Sequence, residues 1–190
     1  KRPFRQRIQR FFLGVPAEIF VNPPRVIRRY MTEEHAEGSP ITAHMLATGW
    51  VVLSRDPVVD ELRAEAKAWL ARSSQPTEST LVWARYMAAT LCEDAMDVVD
   101  RDPATAIMLL DQAVLAMLRF WFRSRGLFLP RQKELLSTLI SLDPDLGKTV
   151  QRYFIASYEE RVSLAEAAAS RSIGVHGYFE WESEPEAVET

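Results

Sequence analysis

Residues 103–123 constrain the fold most strongly, because apolar side chains cover almost every side of the helix they predict. They read "PATAIMLLDQAVLAMLRFWFR". Asp102-Pro103 is a helix-start signal, and Gly126 ends the pattern. A helix that is apolar nearly all round must be covered by other elements. The sequence therefore predicts a central helix over 103–125, inside a helical domain.

Helix signals surround this segment on both sides. The start and stop residues predict further helices over about 77–100, 130–142 and 143–170. Short connections between helices of this length favour an antiparallel four-helix bundle, which we assign to residues 73–178. Residues 179–190 form an acidic tail.

The first 72 residues show a mixed pattern instead. We expect a strand over 15–22, a helix from Pro23-Pro24 to Gly38, a short helix over 41–49 and a helix over about 57–71. The run "WVVLSRD", residues 50–56, is typical of a buried strand. The predicted fold class is α+β, a partial small mixed sheet with helices followed by the four-helix bundle.

Composition and charge narrow the functional classes. The 190 residues are 47% apolar and 26% charged, as in ordinary globular proteins. No apolar run approaches the roughly 18 residues that span a bilayer, so we expect no membrane partner. Cys92 is the single cysteine, which favours a reducing, cytoplasmic location.

The basic residues are concentrated at the start of the chain. Residues 1–30 carry eight Lys or Arg and one acid, whereas the whole chain has a net charge of −3. Such a segment either attracts phosphates or forms a solvated amphipathic helix, and both readings stay open. Arginines and aromatics do not interleave as in nucleic-acid modules, so nucleic acid is not the favoured partner.

Glu18 is the one acid in the first predicted strand, "VPAEIFVN". Burying an unpaired carboxylate is costly. Either Glu18 lies on an exposed face, or it is present to hold a cation.

Charged stripes mark two of the predicted helices. Asp111, Arg119 and Arg123 are separated by multiples of four, so they share one side of the central helix. They either pair internally or line a cleft, in which Arg119, Arg123 and Lys133 could contact phosphates. Glu93, Asp97 and Asp100 form an acidic stripe that is either a solvated face or a surface attracting a cation; these three residues come from the preceding helix.

Two segments resemble a known family. Residues 14–70, "GVPAEIFVNPPRVIRRYMTEEHAEGSPITAHMLATGWVVLSRDPVVDELRAEAKAWL", resemble the second half of a nucleotidyltransferase domain of the DNA-polymerase-β-like superfamily. Residues 76–170, and above all "LRFWFRSRGLFLPRQKELL", are similar to the helical bundle of nucleotidyltransferases of the kanamycin type.

The resemblance implies a function and a catalytic residue. Glu18 would be the third of three carboxylates that hold two Mg²⁺ ions around a nucleoside triphosphate (NTP). The enzyme would move a nucleoside monophosphate from the NTP to a hydroxyl of a small molecule. Asp111, Arg119, Arg123 and Lys133 are the candidate substrate-binding residues.

The chain also departs from the family pattern. Gly-Ser and Asp-x-Asp, which should precede the third acid, are absent from the 17 residues before Glu18. We therefore expect a chain that starts partway through the enzyme or has lost catalysis.

Two alternatives are kept. One is a non-catalytic interaction module that forms a homodimer through Phe120, Trp121 and Phe122. The other is a HEPN-like ribonuclease using Arg171 and His176, which have the Arg-x4-His spacing of such enzymes.

Overall fold

The computed structural model describes residues 4–175 and 177–183. The chain forms two compact units, residues 1–75 (unit 1) and 76–190 (unit 2). The fold class is α+β, as predicted, and is mostly helical with one small antiparallel sheet in the described residues.

A β-hairpin opens unit 1. Strand β1 (Gln6–Phe12) pairs antiparallel with β2 (Val15–Val21), and Gln9 lies opposite Glu18. Leu13 and Gly14 connect the strands with φ angles of 49° and 80°, which is the geometry of a type I′ turn. The amphipathic-helix reading of the basic segment is therefore wrong for residues 6–12, because this tight turn folds them back onto β2 as a strand, although Arg25, Arg28 and Arg29 do lie on the helix that follows.

Three helices complete unit 1. They are α1 (Pro24–Ala36), α2 (Ile41–Thr48) and α3 (Val58–Leu70). A small buried core joins them, consisting of Met31, Ala43, Leu62 and Ala66. Polar contacts add to it: Glu34 accepts hydrogen bonds from the backbone and hydroxyl of Thr42, at 2.5 and 2.7 Å. Arg28 donates to both carboxylate oxygens of Glu65, which ties α1 to α3.

Residues 50–56 do not form the predicted buried strand. Trp50 is 91% exposed and Val52 is 87% exposed, and the segment has no regular secondary structure. A strand needs a neighbour for its backbone hydrogen bonds. Within the described residues β1 and β2 pair only with each other, so this segment has no such neighbour.

Unit 2 is built around its longest helix. Its helices are α4 (Glu78–Val98), α5 (Pro103–Ser124), α6 (Leu135–Leu142), α7 (Pro144–Ile155) and α8 (Tyr158–Ser172), with a 3₁₀ turn at Gln132–Glu134. Helix α5 packs against both α4 and α8, and eight of its residues are buried, as expected for a central helix. The Asp102 carboxylate accepts a hydrogen bond from the Thr105 backbone at 3.2 Å and caps α5.

The single helix predicted over 143–170 is two helices. Helix α7 ends at Ile155, Ala156 is extended, and α8 starts after Ser157. Hydrogen bonds from the Arg152 side chain and from the Ser157 backbone N–H hold the pKa of the Glu160 carboxyl below its usual value. Ser157-x-x-Glu160 has the spacing of a capping box, of which the hydrogen bond from the Ser157 backbone N–H to Glu160 is formed. This spacing is the sequence signal for the new helix start.

Helix α5 is also the one described helix that is long and apolar enough to cross a membrane. The core helix of a globular domain meets the same criterion. Here the neighbouring helices cover its apolar residues, including Leu110, Val114, Met117 and Leu118.

Candidate functional site

Glu18 lies on an exposed strand and is paired with an arginine. Its Oε1 accepts a hydrogen bond from Arg7 Nε at 2.6 Å, and Arg7 Nη2 lies 2.5 Å from the same oxygen. The Glu18 side chain is 37% exposed. Of the two readings of Glu18, an exposed position is the one that the structure shows, because the strand is not buried and the Arg7 guanidinium pairs with the carboxylate.

Arg7, Glu18 and Phe20 share one face of the hairpin, since alternate residues of a strand point the same way and Arg7 lies opposite Phe20. The Arg7 guanidinium also lies over the Phe20 ring, 4.9 Å from its centre. This face therefore presents one cation and one anion side by side.

The opposite face of the hairpin is mostly apolar. By the same alternation it consists of Gln6, Ile8, Arg10, Phe12, Val15, Ala17, Ile19 and Val21. Phe12, Val15 and Ile19 are exposed, and the Arg10 guanidinium lies over the Phe12 ring. Six of the eight residues are apolar, which is more apolar surface than a sheet normally leaves without cover.

The implied magnesium site can be tested against these residues. Among the residues that the structure describes, no group of three or more His, Cys, Asp or Glu side chains could hold a metal ion. Glu18 is the sole acid between residues 1 and 32. The hairpin thus offers one oxygen ligand, and the two-ion site of the family does not fit the described residues alone.

Asp111 is tied into the interior of unit 2. It accepts a hydrogen bond from the buried Tyr153 hydroxyl at 2.8 Å and a longer one from Arg161 Nη1 at 3.4 Å. Burial, followed by the contact with Asp111, raises the pKa of Tyr153 far above its usual value. Of the two readings of the charged stripe, internal pairing is the one that the structure supports for Asp111.

The other predicted substrate-binding residues do not gather around Asp111. Arg119 is exposed two turns further along α5, about 12 Å away at 1.5 Å per residue. Arg123 is half-buried near the end of the same helix, and Lys133 is exposed on the 3₁₀ turn.

A cavity of about 670 Å³ lies elsewhere in unit 2 and has an acidic wall. Glu93 and Asp97 of the predicted acidic stripe line it, together with Glu166 of α8 and the Cys92 thiol. Burial, with help from Glu93 and Glu166, raises the pKa of Cys92 to about 11. Glu166 was not predicted as a site residue. The helix pattern of α8 does not indicate which of its faces packs against α4, about 70 residues earlier in the chain.

The residues predicted for the two alternative functions belong to α5 and to the C-terminal end of the chain. Trp121 and Phe122 are 3% and 1% exposed in the core of unit 2, so these two side chains are not available for the predicted dimer contact, whereas Phe120 is half-buried. Arg171 lies on α8 with Nη1 3.4 Å from the Asp145 carboxylate. His176 lies outside the described residues.

Comparison of the chain with protein-family models, with curated proteins and with solved structures found no match in any of the three.

Proposed function

We propose that this chain is part of a magnesium-dependent nucleotidyltransferase that moves a nucleoside monophosphate from an NTP to a hydroxyl of a small molecule. The resemblance of residues 14–70 to the second half of such a domain carries the proposal, because it would make Glu18 the third acid. In the structure the Glu18 carboxylate is paired with Arg7, so a metal-bound phosphate would have to displace this pairing.

The pair is chemically complementary to a metal-bound triphosphate. An arginine fork binds phosphate oxygens, and a carboxylate oxygen is a ligand that Mg²⁺ prefers. An exposed ion pair contributes little to stability. The Arg7–Glu18 pair can therefore break at small cost, so that Arg7 contacts a phosphate and Glu18 contacts a metal ion. When bound, the metal would neutralise the phosphate charge.

The hairpin also has room for the rest of such a site. A two-stranded hairpin is marginally stable by itself, and within the described residues neither outer edge of this one pairs with another strand. We propose that a further strand, carrying the two remaining carboxylates, pairs with its edge. Nucleotide transfer is expected only when that strand is supplied.

Unit 2 is proposed as the acceptor side of the enzyme. In this proposal α4, α5, α7 and α8 form an antiparallel four-helix arrangement with α6 as a connection. Substrate contacts by Arg119, Arg123 and Lys133, and a cytoplasmic location, remain predictions that follow from charge and resemblance.

The proposal is tested by nucleotide binding to the 190-residue chain. Isothermal titration with ATP or GTP, with and without Mg²⁺, is expected to give weak binding that needs the metal. Glu18→Gln removes the charged ligand and should weaken Mg²⁺-dependent binding about tenfold, the scale of one charge-assisted contact. Arg7→Met should also weaken the Mg²⁺-dependent binding, because a phosphate contact is lost.

Glu160→Gln is the matched control, since Glu160 is an exposed acid that pairs with Arg152 at 2.6 Å in unit 2. It should bind like the unchanged chain. Equal Mg²⁺-dependent affinity in Glu18→Gln and Glu160→Gln would contradict the proposal.

One observation favours a second candidate, a non-catalytic interaction module. Large apolar side chains are exposed in unit 1, on the hairpin at Phe11, Leu13 and Val15 and beyond it at Trp50 and Val52. Exposed apolar clusters mark interaction surfaces. If the unchanged chain does not bind nucleotide in the presence of Mg²⁺, the interaction module is the function that these exposed side chains favour.

A further inference from the structure

The chain after α8 is anchored up to Val175. Gly174 has a φ of 64°, donates its N–H to the Ala169 carbonyl at 3.0 Å, and ends the helix. The residues on either side of it, Ile173 and Val175, are buried in the core of unit 2. Gly177 has a φ of 78°, and a Cβ there would meet no atom within 4 Å apart from its chain neighbours. Glycine has the widest range of backbone angles, so Gly177 is the candidate hinge of the segment that follows.

Residues 177–183, here called the C-terminal strap, lie on α4. The Phe179 N–H donates to Glu93 Oε1 at 3.0 Å, and the Arg85 guanidinium lies 4.8 Å from the centre of the Phe179 ring. The Trp181 ring centre lies 5.2 Å from that of Tyr86 and 5.9 Å from that of Trp83. All these partners belong to α4, so one helix surface holds the strap.

The strap borders the cavity between α4 and α8. Gly177 and Tyr178 form part of its wall, and Cys92 and Glu166 line it from the two helices. Glu93 has two roles, since it lines the cavity and also holds the Phe179 backbone. Movement of the strap would therefore change access to the cavity.

We propose that the C-terminal strap is a lid that pivots at Gly177 and controls access to this cavity. Phe179 packs against the core of unit 2, whereas Trp181 is 37% and Tyr178 is 78% exposed, so the contacts of two aromatic rings and one backbone hydrogen bond oppose the conformational entropy gained on release. Ile173 and Val175 stay in the core when the lid lifts, so the other walls of the cavity persist. This inference is independent of nucleotide transfer.

Cys92 provides the test, because it lines the cavity and is the one thiol of the chain. Its labelling by a bulky maleimide is measured at fixed pH on the full chain. When lid movement is fast compared with labelling, the rate is proportional to the open fraction.

Trp181→Ala removes the aromatic contacts with Trp83 and Tyr86. It is expected to raise the labelling rate by about threefold to tenfold for each of these two aromatic contacts. Trp50→Ala is the matched control, since Trp50 is an exposed tryptophan in unit 1, and should label at the unchanged rate. Hydrogen exchange of a peptide covering 177–183 should increase in the first variant and not in the second.

An unchanged labelling rate in Trp181→Ala, with its helical circular dichroism retained, would overturn the proposal. If Trp181→Ala loses helical signal, Trp181→Phe decides, because it keeps a smaller ring at the same position. A rise in its labelling rate supports the lid, and the wild-type rate overturns it.

Discussion

At the scale of single residues, Tyr153 is the clearest polar contact in the core of unit 2. Its hydroxyl donates to Asp111 at 2.8 Å, and Arg161 completes the group from α8. The pair joins α5 to α7 across the core. Removing the hydroxyl leaves a half-buried carboxylate with one fewer donor.

Tyr153→Phe is expected to lower the free energy of unfolding by about 1–2 kcal/mol at pH 8, the usual cost of removing one partner of such a hydrogen bond. Because the pKa of folded Tyr153 is raised, the protonated tyrosine favours the folded state. This contribution is complete below the ordinary tyrosine pKa of about 10 and is lost as the pH rises above it.

Urea unfolding at pH 8 and pH 11 measures the effect. The difference between the unchanged chain and Tyr153→Phe should shrink at pH 11. A difference that is equal at both pH values would contradict the assignment.

The Glu18 environment shows what single residues in a sequence can reveal. Its place in a strand was predictable from the apolar run between Gly14 and the proline pair. Its exposure was not, because exposure depends on what covers the strand. Arg7 could have been found as its partner only by taking Leu13-Gly14 as a type I′ turn, since that turn sets the register.

At the scale of elements, α6 and α7 approach so closely that one glycine decides their packing. A Cβ on Gly147 would lie 2.6 Å from Ile140 Cα and 2.7 Å from its backbone nitrogen. Backbone atoms cannot move aside as a flexible side chain can. The two helices would have to separate.

Gly147→Ala is therefore expected to destabilise unit 2 by about 1–3 kcal/mol, the range for overpacking a core. This should outweigh the roughly 1 kcal/mol by which alanine is the better helix former. Urea unfolding followed by circular dichroism provides the measurement. The control is Lys148→Ala, at the exposed neighbouring position, and a more stable Gly147→Ala would contradict the packing argument.

Helix positions were largely predictable because their signals are local. Pro24, Thr77, Asp102 and Asp143 each begin or cap a helix close to where the sequence indicates. The strand predicted over residues 50–56 was wrong for the opposite reason, because a strand depends on partners that are distant in the sequence. The break at Ala156 had a local signal in Ser157 and Glu160 that helix periodicity concealed.

At the scale of the whole molecule, the two units differ in how much apolar surface they bury. The main buried cluster of unit 2 has 20 residues, and that of unit 1 has four. Burial of apolar area is the dominant favourable contribution to folding. Unit 2 should therefore be the more stable of the two.

Hydrogen exchange at neutral pH should show this difference directly. We expect amides of α1 to α3 to exchange at least about tenfold faster than those of α5. The free energy needed to open a segment is larger where more apolar side chains are buried around it. Urea unfolding should show unit 1 losing protection at the lower concentration. Equal protection in both units would contradict this expectation.

The hairpin carries a proline on one side only, and this has a consequence for handling the chain in solution. Pro16 has no backbone N–H, so β2 cannot offer a complete row of donors to another molecule. β1 has no proline. If the protein forms amyloid-like fibrils at high concentration, we expect another molecule to pair with the free edge of β1. A lysine or proline introduced into β1 should block this pairing and keep the protein in solution.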